Sequence, residues 1–139
     1  MKRPERVAFW LSLARRDLLK ARRLAEDPIL TDGVCFHAEQ AAEKAVKGWL
    51  CHVGVQRIRK IHDMVLLVAV APAGAESPFD ERVLSVLSGY AIGPRYSEKP
   101  PPVERARQAL AWAEGIVEKV AALVEPPLPD RDDAGRLGS

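Results

Sequence analysis

The 139-residue sequence has no asparagine, one threonine (Thr31), two cysteines and 6% aromatic residues. Threonine and aromatic side chains favour strands, so their scarcity argues against a sheet protein. No stretch approaches 18 consecutive apolar residues, which excludes a transmembrane helix and a membrane-embedded function. The N-terminus, Met1 to Arg6, is basic, but Arg15, Arg16, Asp17 and Lys20 follow it. That leaves no apolar core for a secretory signal. Cys35 and Cys51 fall within one helical pattern, 16 positions apart. At ~1.5 Å per residue they stand about 24 Å apart, too far for a disulfide. Free thiols without an export signal predict a cytoplasmic protein. Two cysteines and three histidines show no close metal-ligand spacing, and no glycine-rich phosphate loop or Gly-x-Ser-x-Gly turn is present. The expectation is therefore no cofactor and no metal.

What is there points to helices. The chain holds 20 alanines, with 47% hydrophobic and 29% charged residues overall. Alanine and leucine are good helix formers, and the length suits one domain. Basic and acidic residues number 21 and 19, a net charge of +2. A strongly basic nucleic-acid protein is not visible in that total. The charge is uneven, however: Glu125 to Ser139 carries −2, so residues 1–124 carry +4.

Prolines at 4, 28, 72, 78, 94, 100–102, 126, 127 and 129 divide the chain. Helices usually stop before such residues. A first helix is expected from about Glu5 to Glu26, with an apolar stripe of Val7, Trp10, Leu11, Ala14, Leu18, Ala21 and Ala25. A second is expected from about Asp32 to His52, capped by Thr31 or Asp32 and closed by Gly54. Val34, Ala38, Ala41, Ala42, Ala45, Trp49 and Val53 share one of its arcs. Glu43 and Lys47 lie opposite as an i,i+4 pair. His37, Gln40, Lys44, Gly48 and Cys51 form a third stripe, polar but weakly charged. A basic connector with Arg57, Arg59 and Lys60 leads to a third, buried helix from His62-Asp63 to Pro72. A fourth helix is expected from Ser77 or Pro78 to Tyr90, and a fifth from Val103 to Val124. The sum is an all-α, up-down antiparallel bundle of about five helices over residues 1–124. Residues 125–139 read as an acidic, proline-rich tail that is disordered. The alanine-rich and Gly48-containing faces of the second helix leave room for a second copy of the chain.

Four places suit chemistry. His37, Gln40 and Lys44 can donate to a phosphate or serve in acid–base work, or form a solvated or dimer-facing surface. His62 and Asp63, preceded by Arg57, Arg59 and Lys60, can meet an anion, or one of them simply caps the third helix. Arg95 and Tyr96 suit stacking plus phosphate contact, or pack locally. The basic run of the first helix can track a nucleic-acid backbone, or be a solvated face.

Three segments together resemble a known family. They are Cys35-Phe-His-Ala-Glu-Gln-Ala-Ala-Glu-Lys-Ala-Val-Lys47, then His62-Asp63-Met64, then Tyr90 followed by Arg95-Tyr96. Arg16-Asp17-Leu18 precedes them in the expected order. The sequence is similar to HEPN-domain proteins over about residues 5–124. The resemblance implies a helical bundle that dimerises and binds nucleotide or RNA. It also implies a minimal nucleotidyltransferase as partner in a toxin–antitoxin-like pair. By position it marks Phe36, His37, Gln40, Glu43, Lys44, His62, Asp63, Arg95 and Tyr96.

Many members of that family are metal-independent ribonucleases with an Arg-x4–6-His motif late in the bundle, often with Asn after the Arg. Here residues 82–124 contain no histidine, and asparagine is absent throughout. The literal match is Arg57-x4-His62, between the second and third helices. The sequence thus reads as a nucleotide- or polyanion-binding module. The alternative is an endoribonuclease using His62, Arg57 or His37.

Overall fold

A computed structural model describes residues 1–91 and 99–125. Its helices are α1 (Arg3–Leu24), α2 (Thr31–His52), α3 (Met64–Val68), α4 (Glu81–Ser88) and α5 (Val103–Val124). A single 3-10 turn, Gly89–Ala91, extends α4. Among the described residues there is no strand, and no helix is long and apolar enough to cross a membrane.

The three long helices carry the core. α1 and α5 both pack on α2, and α3 and α4 close one end. α1 buries Val7, Leu11, Ala14, Leu18 and Ala21 of the stripe its spacing predicts, while Trp10 is half-buried and Ala25, past the helix end, is exposed. It starts two residues before the expected Glu5 because Pro4 is tolerated in a first turn, where its missing N–H costs nothing. α2 is buried almost all round: Ala38, Ala41, Ala42 and Ala45 are 0% exposed, and Gly48 and Cys51 on another side are also buried. A helix without a wet face is a central one. A Cβ at Gly48 would lie 3.3 Å from the Trp10 Cβ, so glycine is what lets α1 approach there. The small-residue faces of α2 are therefore filled by this chain's own helices.

The C-terminal end of α2 closes as expected at Gly54, whose φ is +103°. Gly54 N–H donates to the Cys51 carbonyl at 3.1 Å and Val55 N–H to the Leu50 carbonyl at 2.9 Å. This is the paired bonding of a left-handed helix cap. Its N-terminus differs from expectation. Leu30 is the N-cap, without a side-chain bond, and Thr31 lies inside the helix, its buried Oγ1 without a hydrogen-bond partner among the described residues.

The two short helices are shorter than their apolar content predicts. α3 spans five residues and stops at Val68, and Leu66 stays 58% exposed. α4 begins at Glu81 because the Asp80 carboxylate accepts from the N–H groups of Arg82 and Val83. The Ser77-Pro78 start is not used: Ser77 Oγ accepts from Phe79 N–H at 3.2 Å in the loop before it. Val86 of α4 is 40% exposed, while Leu84 and Leu87 are buried. Met64 N–H donates to Ser88 Oγ at 2.8 Å, which ties the start of α3 to the end of α4. Of the expected tail, residues 125–139, all but Glu125 lie outside the described residues, as do residues 92–98.

Candidate functional site

The polar residues of α2 meet two acidic centres, one after the other along the helix. The first is Asp17 of α1, which is 3% exposed. His37 Nδ1 lies 3.0 Å from Asp17 Oδ1, and Lys44 Nζ donates to Asp17 Oδ2. His37 and Lys44 are one α2 face, seven residues apart, and α1 supplies the carboxylate between them. Both side chains are thus engaged inside the protein. Their side chains keep about a quarter of their surface exposed.

The second centre is Glu43, also 3% exposed. His62 Nδ1 lies 3.0 Å from Glu43 Oε1, and Lys47 Nζ lies 3.4 Å from Glu43 Oε2. Lys47 Nζ also stands 5.3 Å from the centre of the Trp10 ring, within cation–π range. His62 comes from the connector after α2 and its side chain is 59% exposed. Among the described residues nothing ties Arg57 to His62. Arg57, Arg59 and Lys60 are exposed on the connector. Its start is clamped from α1, where Arg6 Nη2 donates to the carbonyls of Val55 and Gln56 at 3.2 and 3.1 Å.

Beside these centres sits Glu39, 0% exposed. Gln40 Nε2 donates to its Oε2 at 2.6 Å, and its Oε1 has no hydrogen-bond partner among the described residues. Burial pushes its carboxyl from the ordinary 4.5 up to about 8, and the neighbouring Glu43 adds to the rise. Both effects disfavour a second negative charge in a dry place.

The remaining candidates part company. Asp63 is the N-cap of α3, accepting from Val65 and Leu66 N–H at 3.0 and 3.4 Å, which is the capping reading of that segment. Arg95 and Tyr96 lie outside the described residues. The basic face of α1 is exposed and partly paired: Arg15 bonds to Glu125, and Arg22 Nε lies 3.2 Å from Glu114 Oε1. Cys35 and Cys51 are free and buried. Burial raises the Cys35 thiol to about 11, leaving it without nucleophilic character at neutral pH.

Sequence reasoning missed three things. As a site residue Asp17 enters the sequence reading only as part of Arg16-Asp17-Leu18, and Glu39 is not singled out in it. The available signal was the shortage of charge around α2, which marks a helix surrounded by protein. The third is a cleft of about 610 Å³ between α4 and α5, lined by Arg82, Arg105, Gln108, Tyr90 and Trp112. Asp80 and two valines complete its wall. Two guanidinium groups and two aromatic rings converge there from elements far apart in sequence.

The HEPN domain family matches residues 7–123 of this chain. No curated protein matches. The fold is similar to the crystal structure of TT1696 from Thermus thermophilus, at a TM-score of 0.66 and 30% identity. That likeness covers 84% of this chain and 97% of TT1696. The chain belongs to the HEPN domain family.

Proposed function

Starting from that membership, we propose that this HEPN module binds a nucleotide or a related polyanion, acts as a homodimer, and pairs with a minimal nucleotidyltransferase in a toxin–antitoxin-like system. The observation that carries the ligand part is the α4–α5 cleft. Its aromatic rings offer faces on which a base stacks, and Arg82 and Arg105 offer planar donors for phosphate oxygens. The polar stripe of α2 supports it less. His37 and Lys44 already serve Asp17, and the buried carboxylates around them repel an anion. The partner and the dimer rest on the family resemblance.

The endoribonuclease reading has one observation in its favour. Glu43 holds His62 by Nδ1 and leaves the rest of an exposed imidazole facing solvent, an arrangement suited to acid–base work.

Titration with ATP decides the ligand question. Binding is expected to raise the melting temperature, with about 2.7 kcal/mol of stabilisation at a hundredfold excess over Kd. Arg82→Ala and Arg105→Ala are each expected to weaken binding about tenfold, the worth of one charge-assisted bond. No shift with ATP, and no nucleotidyltransferase co-purifying with the chain, overturns the proposal. RNA cleavage in EDTA that disappears in His62→Ala replaces it with the enzyme reading. A monomeric mass at micromolar concentration removes the homodimer.

A further inference from the structure

We infer that Glu39, Glu43 and His62 form a binding site for a divalent transition-metal ion of the zinc type. One carboxylate oxygen from each glutamate and one ring nitrogen of His62 all lie within 4.8 Å of one another. An acidic pair on a helix is common and means little by itself. Here a second observation points to a ligand: Glu39 is completely buried, and its Oε1 has no hydrogen-bond partner among the described residues. Buried polar atoms are almost always satisfied.

The cations nearby do not fill that need. Lys47 reaches Glu43 at 3.4 Å, and Lys44 serves Asp17. Gln40 donates to Glu39 only at Oε2. A divalent ion placed among the three side chains would bond both carboxylates at once. It would bring two positive charges where Lys47 brings one, and to Glu43 alone.

The ligand set selects the metal class. Two carboxylates and an imidazole are hard-to-borderline ligands that suit zinc, manganese or iron, whereas calcium and magnesium prefer oxygen alone. Ligand atoms around a tetrahedral zinc ion stand about 3.4 Å apart. The cluster therefore needs to contract by little more than an ångström. His62 is the side chain able to move, being exposed and carried by the connector. Its exposure is also the entry path. Three protein ligands leave one position of a tetrahedral ion to water.

The site escapes a search for ligand spacing because its third ligand lies 19 positions beyond Glu43. This inference does not depend on the α4–α5 cleft.

Cobalt(II) titration of the full chain, stripped of metal, tests it. One Co²⁺ per chain is expected, with visible ligand-field absorption and no near-ultraviolet thiolate band. His62→Ala and Glu39→Gln are each expected to weaken Co²⁺ and Zn²⁺ binding at least about tenfold. His52→Ala is expected to leave it unchanged, since His52 is exposed at the far end of α2. Absence of a stoichiometric site overturns the proposal. So does a thiolate band, which would place the ion on Cys35 or Cys51, or wild-type affinity in both variants. If Glu39→Gln loses its helical circular dichroism, His62→Ala decides alone, because its exposed side chain is removable without opening the core.

Discussion

The Asp17 and Glu43 centres are built from the same parts and end differently. Each is a carboxylate 3% exposed that meets one histidine and one lysine. At the first, α2 gives the histidine and the lysine and α1 gives the acid, so one carboxylate meets its partners. At the second, α2 gives the acid and the lysine and the connector gives the histidine. A further acid, Glu39, then adds a carboxyl whose Oε1 has no hydrogen-bond partner among the described residues. The first centre is closed by its own side chains, and the second is left with one buried oxygen over. A satisfied cluster locks helices together. An unsatisfied one holds capacity for something from outside.

The largest effect is expected where the completed centre is broken. Lys44→Met removes the full positive charge from a buried carboxylate. It should lower the unfolding free energy by about 3 kcal/mol in urea titrations, since removing one partner strands a buried charge. A loss under about 1 kcal/mol would mean that Asp17 is served by His37 alone.

The second centre should respond in the opposite sense. A carboxyl whose folded pKa is raised holds its proton more tightly folded than unfolded. Its contribution to stability is complete below the ordinary 4.5 and is lost as pH rises through about 8. In EDTA, Glu39→Gln should therefore remove part of the fall in stability between about pH 5 and pH 8. At the upper end of that range the variant should have lost less stability, relative to its own value near pH 5, than wild type has. Equal pH slopes in the two proteins, measured by urea unfolding, would show Glu39 to be ordinary.

The smallest effect calibrates the other two. Arg22 and Glu114 pair at 3.2 Å across α1 and α5, with side chains 52% and 33% exposed. Arg22→Ala should cost no more than about 0.5 kcal/mol in the same titration, because water screens such pairs. A larger loss would erase the contrast between buried and exposed pairs on which the comparison rests.

Much of the fold was legible in the sequence because apolar spacing and proline positions are strong local signals. They placed α1, α2 and α5 to within two residues, and they gave Gly54 its role. The short helices were harder. Ser77-Pro78 is a sound start signal, but Asp80 offers a carboxylate to two N–H groups three residues later and wins. For α3, apolar content predicted length and burial, yet only Met64 and Leu67 reach the core completely. The site was legible in part. His37, Lys44, Glu43 and His62 stand at the positions that the family resemblance marks. That Asp17 and Glu39 are buried was not readable, because a charged residue in a sequence looks wet until its neighbours are known. The α4–α5 cleft was invisible for the same reason: Arg82 and Arg105 are 23 positions apart and meet only in space.

The order of the parts along the chain has a consequence for how the molecule is made. Asp17, His37 and Lys44 all lie within the first 44 residues, in two helices joined by six residues, 25–30. Contacts this local form early, before the rest of a chain has been added. The α1–α2 hairpin thus carries every side chain of its electrostatic lock within one local unit. Glu39 and Glu43 lie in the same hairpin, but their histidine comes only with residue 62.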